Sequence, residues 1–186
     1  MKPNLVDPKK HGIRAGIIWW ATDEAREDYG VTAKDLEAAG VRSLNILIDQ
    51  SLVEPLRQIN QDLASHQLEV EIDDGYRSKE LYELASRKVA ERKGDSVSKS
   101  LFNLTEMPHT TGKAVDIALV STEGTRVPLF DKEDGTEASF LGYYEQFDDE
   151  KSRKFVYLQK LLGRIMISNG FEYGSKGEVW HFNYVG

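Results

Sequence analysis

Apolar and polar positions alternate most cleanly where Leu68, Val70 and Ile72 are interleaved with Glu69, Glu71 and Asp73. A period of two gives a strand one apolar and one polar face, so this stretch predicts a strand with one buried side. On either side the spacing changes to three and four. Ser51-Leu52-Val53-Glu54 has the form of a capping box ahead of Leu56, Ile59 and Leu63, which predicts an amphipathic helix ending near Ser65. Pro55 is tolerated only in a first helical turn and agrees with that start. A second helix is expected from Lys79 to about Lys93, with Leu81, Leu84, Ala85 and Val89 inward, and a third from Arg153 to Ser168 with Phe155, Leu158, Leu161, Leu162 and Ile165 inward. Asn169-Gly170 closes the third. Between Thr32 and Gly40 a start and a stop signal bracket a short helix.

Ala114 to Val120 is apolar apart from Asp116, the pattern of a central strand, and a charge inside such a strand needs a partner. Ile13 to Trp20 and Glu178 to Val185 are rich in β-branched or aromatic residues and read as extended segments. Residues 1–12 read as an irregular lead-in, Gly94 to Met107 as a polar loop, and residues 121–150 as a long excursion of the kind that forms lids or substrate loops. The chain of 186 residues, 40% of them hydrophobic, is long enough to bury one sizeable core. The expectation is a single domain over residues 1–186.

A net charge of −7 without a long Lys/Arg cluster argues against nucleic acid or an anionic membrane as partner and is compatible with a small substrate. No apolar run approaches the roughly 18 to 20 residues of a membrane span. Ala15 to Ala21, behind Lys9, Lys10 and Arg14, is too short and too tryptophan-rich for an export signal, so a cytoplasmic location is expected, with export open if a leader was removed ahead of Met1. The absence of cysteine excludes disulfides, thiolate metal sites and a cysteine nucleophile. Strong metal ligands are therefore limited to His, Asp and Glu, and the histidines number four: His11, His66, His109 and His181.

Two stretches concentrate the candidate chemistry. His109-Thr110-Thr111-Gly112-Lys113-Ala114-Val115-Asp116 puts a histidine and a carboxylate on either side of a glycine turn, and Glu178-Val179-Trp180-His181 adds a second imidazole and a spare carboxylate. Together they offer three ligands and a base for a catalytic zinc site with one position open. Each stretch alone also fits a plainer reading, a satisfied polar pair in the first and an exposed glutamate beside an aromatic-packed histidine in the second. Gly112 would have to fold His109 back over the strand, and Glu178 would have to sit on a turn or bulge, because strand alternation points residues three apart to opposite faces. Arg77 follows the strand and the Gly75 turn, where it could stabilise an oxyanion or pair with Asp73 or Asp74. His66 reads as a helix C-terminal dipole partner, and His11 lies in the polar lead-in.

Taken in order, Asp74-Gly75-Tyr76-Arg77-Ser78, His109-x-x-Gly112-x-Ala114-x-Asp116 and Glu178-Val179-Trp180-His181-Phe182 resemble the zinc D-alanyl-D-alanine dipeptidases, within the wider group of peptidoglycan D,D-peptidases and carboxypeptidases. The resemblance runs from about residue 13 to the end. It implies one zinc per chain held by His109, Asp116 and His181, Glu178 as general base and acid, Arg77 polarising the scissile carbonyl, and Asp74 orienting Arg77. The implied activity is hydrolysis of a short D-amino-acid peptide, foremost D-Ala-D-Ala, with a carboxypeptidase or endopeptidase acting on stem peptides as the alternative and an inactive peptide-binding zinc module as a further one. The sequence departs from the family at Met107, where a serine is usual, and at Val179, where a tryptophan is usual. The acid that would receive the substrate amine falls on Asp148, with Asp131 as rival. The expected fold is α+β, a small antiparallel sheet with helices packed on one side and the zinc site at one end of the sheet.

Overall fold

The computed structural model describes residues 3–102 and 104–186; Met1 and Lys2 of the expected lead-in and Asn103 of the expected loop lie outside the described residues. In chain order the strands are β1 (Leu5–Val6), β2 (Arg14–Ala15), β3 (Ile48–Asp49), β4 (Leu68–Asp74), β5 (Ala114–Ser121), β6 (Arg126–Val127), β7 (Phe171–Tyr173) and β8 (His181–Tyr184). The helices are α1 (Asp23–Tyr29), α2 (Ala33–Ala38), α3 (Val53–Ala64), α4 (Lys79–Lys93), α5 (Asp95–Leu101) and α6 (Glu150–Ser168).

The main sheet runs β2-β4-β5-β8-β7, with β6 joined to β5, while β1 and β3 form a separate antiparallel pair. All pairs in the main sheet are antiparallel except β2 with β4. The alternation in β4 fixes its faces: Leu68, Val70 and Ile72 are buried and join Leu56, Ile59 and Leu63 of α3 and Leu158, Leu161 and Leu162 of α6 in one apolar core. The fold is α+β, as the patterning predicts. Among the described residues no helix is long and apolar enough to cross a membrane.

One irregularity matters for the site. Ile72 pairs with Ile117, yet Asp74 pairs with Asp116, so Asp73 is an extra residue in β4, a bulge. Without it, Asp74 would follow Ile72 into the helix-covered face; with it, Asp74 shares the face of Asp116. On that face Arg126 binds the carboxylates of Glu71 and Asp73, which satisfies the Asp73 charge next to the bulge.

Several local expectations are corrected. The segment 94–107 contains a helix, α5, because Gly94 (φ 93°) ends α4 and restarts the chain, and the Ser98 hydroxyl docks on Ser86, 2.8 Å from its carbonyl oxygen and 2.9 Å from its hydroxyl. Ser98 thus joins the two helices, while Asp95, Ser96 and Lys99 face solvent. Ser51 does not cap α3: its hydroxyl (2.7 Å) and N–H (3.1 Å) both bond the Asp49 carboxylate, a stronger local acceptor, which starts a short 3-10 turn at Gln50–Leu52 ahead of the helix. Only Arg14–Ala15 of the segment 13–20 is strand, and Trp19–Ala21 forms a 3-10 turn leading into α1. The last strand begins at His181 because Val179 and Trp180 form a turn. The third predicted helix, α6, starts three residues early, capped by the Asp149 carboxylate at the Ser152 N–H (2.9 Å).

The excursion 121–150 holds β6 and three short 3-10 turns. Its own small core of Ala138 and Tyr144 packs on Phe155 of α6. It is also pinned to the segment before β8: Phe140 bridges Glu178, Leu141 N–H donates to Gly177 O (2.9 Å), and Val179 N–H donates to Ser139 O (3.0 Å).

Candidate metal centre

Three elements bring the ligand candidates together. His109 sits in a 3-10 turn, Pro108–Thr111, closed by Gly112 in the left-handed region (φ 72°). A side chain at 112 would be strained by that φ and would also meet Leu5 Cδ2 at 2.8 Å and Asp49 N at 3.0 Å, so glycine is needed there twice over. The reversal carries His109 back over β5, where Asp116 stands directly opposite His181 of β8 in the strand register. A cross-strand pair of this kind holds its side chains side by side on one face.

The ligand atoms converge. His181 Nδ1 lies 2.8 Å from Asp116 Oδ1, His109 Nε2 lies 3.2 Å from His181 Nδ1, and His109 Nε2 lies 3.7 Å from Asp116 Oδ1. Ligands about 2.0–2.1 Å from a tetrahedral zinc stand about 3.3–3.4 Å apart, and the three observed edges bracket that value. His109, Asp116 and His181 are the metal-capable cluster among the described residues. The donor set of two imidazoles and one carboxylate therefore fits a zinc ion with one position open.

The surroundings prepare the ligands. His109 Nδ1 lies 2.8 Å from Gly75 O, and since a carbonyl only accepts, the proton is on Nδ1 and the Nε2 lone pair faces the cluster. Burial holds the His109 pKa down at about 4, keeping the ring neutral. Burial opposes ionisation of Asp116, but His109, His181 and Arg77 outweigh it and hold the carboxyl at about 2. For His181, burial is likewise outweighed by the hydrogen bond to Asp116, and its pKa is raised. His181 is also packed edge-on against the Gly174 backbone, with no room for a side chain between them.

Glu178 lies on the turn before β8, which resolves the alternation problem posed by its spacing from His181. Burial and the charge of Asp116 raise its pKa, and no described hydrogen bond ties down its carboxylate. It is a half-buried carboxylate whose charge is felt by the metal-capable cluster. Arg77 follows β4 and is only 8% exposed. Its Nη2 donates to Asp74 Oδ2 at 2.5 Å, and its Nε has no acceptor among the described residues. Of the two acids offered by the sequence, Asp74 binds Arg77 and Asp73 binds Arg126.

Asp148 contrasts with these residues. Its carboxylate is 98% exposed and pairs with Arg153 (2.8 Å), and none of its described contacts joins it to the cluster. Asp131 caps a 3-10 turn and pairs with Lys151. His66 is exposed and bonds the Tyr157 hydroxyl, and His11 ends a short 3-10 turn. Met107 has a positive φ of 42°, rare for a side chain of its size, immediately before the Pro108 turn.

Three supporting roles escape sequence reasoning, although Gly75 itself is read there as a turn. Gly75 both supplies the acceptor for His109 and passes so close to Leu47 O and Ile46 Cγ2 that no side chain fits. Gly174 backs His181. Tyr82, one residue beyond the predicted inward face of α4, is 2% exposed and reaches both Arg77 and His109. An isolated glycine just after a strand was the available signal for Gly174; Tyr82 carried none.

No protein family matches the chain. No curated protein matches it. Among solved structures it is similar to the LdcB LD-carboxypeptidase, whose structure concerns peptidoglycan recognition (18% identity over 75% of this chain and 60% of that one, TM-score 0.50). It is also similar to the vancomycin-resistance D,D-dipeptidase VanXYg in complex with a D-Ala-D-Ala phosphinate analogue (21% identity, 80% and 54% covered, TM-score 0.49). A third is a vancomycin-resistance D,D-pentapeptidase VanY from a VanB-type cassette in complex with Zn(II) (20% identity, 76% and 75% covered, TM-score 0.47). The chain thus shares the LdcB fold, and it spans 54% of the VanXYg chain and 60% of the LdcB chain.

Proposed function

We propose that the protein is a zinc-dependent metallopeptidase acting on short D-amino-acid peptides of the peptidoglycan type, with D-Ala-D-Ala as the leading substrate. The observation that carries this reading is the convergence of His109 Nε2, Asp116 Oδ1 and His181 Nδ1 beside an uncommitted carboxylate, Glu178, and a buried guanidinium, Arg77. A structural metal site has no use for the last two. The fold shared with LdcB agrees with it.

Zinc held by His109, Asp116 and His181 would supply Lewis acidity toward the scissile carbonyl and toward water. Glu178, with its raised pKa, accepts a proton from the attacking water and delivers it to the leaving amine nitrogen. Arg77 turns donors toward the carbonyl oxygen as negative charge develops there, and Asp74 anchors it through Nη2. Gly75 keeps His109 in the tautomer that presents Nε2.

A second reading, a carboxypeptidase or endopeptidase on longer stem peptides, is favoured by one observation. Asp148, the acid expected to receive a free substrate amine, faces solvent and is engaged by Arg153. Assaying D-Ala-D-Ala beside an amine-blocked D-Ala-D-Ala peptide, with and without added zinc, separates the two. A dipeptidase releases D-Ala from the free dipeptide and rejects the blocked one; preference for the blocked peptide assigns the longer substrate. Release from neither, with zinc bound, would sink the peptidase reading.

A further inference from the structure

Arg77 and His109 are tied to each other by a closed ring of three contacts. The Arg77 backbone N–H donates to His109 O (3.2 Å), and the His109 backbone N–H donates to the Tyr82 hydroxyl oxygen (3.3 Å). The Tyr82 ring lies beneath the Arg77 guanidinium, 4.6 Å from ring centroid to Cζ, and its centroid is 6.3 Å from that of the His109 ring. Tyr82 comes from the first turn of α4, whose start is fixed by Ser78, and its own ring is braced edge-on by Phe102.

The physical demand for such a residue comes from Arg77. Its guanidinium is buried, and among the described residues only Nη2 is bound to a carboxylate. One anchor leaves rotation about the Nη2 bond free, and among the described residues the Nε–H finds no acceptor that would stop it. A flat aromatic face under the cation removes that freedom, because a guanidinium stacks parallel to a ring and is attracted by its quadrupole. Trp20, 5.7 Å from Cζ, adds a second, looser aromatic neighbour.

We propose that Tyr82 is a positioning residue that sets Arg77 relative to the metal ligand His109, its ring fixing the guanidinium plane and its hydroxyl fixing the backbone of the ligand turn. The two tasks are separable, since Phe keeps the first and loses the second, whereas Leu loses both. The kinetic part of this inference rests on the peptidase reading above; the structural part does not.

The test combines side-chain NMR with kinetics on the full chain. In zinc-free protein, the Arg77 Nε–H of wild type and of Tyr82→Phe should be equally ordered on the nanosecond timescale, and that of Tyr82→Leu should be mobile. In Tyr82→Phe the His109 amide, stripped of its acceptor, should exchange with solvent at least about tenfold faster, by the open-state argument that an unpaired buried N–H is costly. With zinc and a peptide ending in D-Ala-D-Ala, Tyr82→Leu should lose roughly 100-fold in kcat with KM within about twofold, the expected cost of about 1 Å of misplacement. Added to Arg77→Ala, Tyr82→Leu should cost no more than Tyr82→Phe does there, since the ring acts through Arg77 and only the hydroxyl acts through the His109 turn. A general packing defect would instead lower both backgrounds alike.

A Tyr82→Leu protein with an ordered Arg77 side chain overturns the proposal, as does a loss of kcat in the Arg77→Ala background that is larger for Tyr82→Leu than for Tyr82→Phe. If Tyr82→Leu fails to fold, unchanged His109 exchange in Tyr82→Phe overturns it by itself. Absence of hydrolysis in wild type with the NMR results as expected refutes the peptidase reading and leaves the placement of Arg77 supported.

Discussion

Replacing Gly174 by alanine is the sharpest steric test of the metal centre. Gly174 has no positive φ, so its backbone would accept alanine; the obstacle is the His181 ring. The added Cβ would fall 3.0 Å from Nε2 and 3.2 Å from Cγ, with Cδ2 nearer than either. Comfortable nonbonded separations between carbon atoms are about 3.5–4.0 Å, so the ring must retreat by on the order of 1 Å. It cannot retreat freely. Its Nδ1 is held 2.8 Å from Asp116 and 3.2 Å from His109 Nε2, and bond lengths at a zinc site tolerate errors of only about 0.2 Å. Gly174 N–H also bonds His181 O (3.0 Å), which couples the two backbones and resists their separation. Displaced partners that orient a ligand cost about 10- to 100-fold in metal affinity, and Gly174→Ala should fall in that range. The assay is competition for zinc against a chromophoric chelator, with thermal melting of the zinc-free protein as the control for folding. A folded variant with wild-type zinc affinity would refute the claim that the Gly174 backbone sets the His181 ring.

Two other substitutions test neighbouring parts of the account. Asp74→Ala removes one half of an ion pair whose side chains are 10% and 5% exposed, leaving the Arg77 charge buried and uncompensated; a loss of about 3–5 kcal/mol in urea unfolding is expected, and a loss below 1 kcal/mol would mean that the pair is solvated. Thr32→Ala breaks the capping box in which Thr32 and Asp35 exchange hydrogen bonds, at a cost of about 1 kcal/mol at neutral pH. The Thr32 hydrogen bonds and Lys88 hold the Asp35 carboxyl at about 2, so its contribution is complete above the ordinary 3.8 and is lost as pH falls through about 2. The stability gap between wild type and Thr32→Ala should therefore narrow toward pH 2 in acid unfolding, and a gap that widens would contradict the assignment.

How much of this was legible in the sequence depended on whether a signal was local. The limits of α4 follow from Ser78 at one end and Gly94 at the other, and the buried face of β4 follows from simple alternation. The ligand stretches were recognisable because their residue types are scarce, with no cysteine and four histidines in the chain. What stayed hidden depends on partners distant in sequence. The bulge at Asp73 exists only relative to β5, and it decides which face Asp74 takes. The polar Ser98 looks solvated until Ser86 is placed beside it. Tyr82 acquires its role only when the turn at His109 folds over α4, and the reason for Gly174 is a ring seven residues later on another strand. The excursion 121–150 was visible as an irregular segment, but not its attachment to the turn that carries Glu178.

The central claim is that a zinc ion held by three residues works with a separate carboxylate. The most direct measurement pairs zinc content with turnover of a D-Ala-D-Ala-ending peptide in wild type and Glu178→Ala. The account predicts about one zinc per chain in both proteins, as a three-ligand open site requires, with D-Ala release in wild type and nearly none in the variant. A variant that hydrolyses at the wild-type rate, or that loses zinc along with activity, would contradict it.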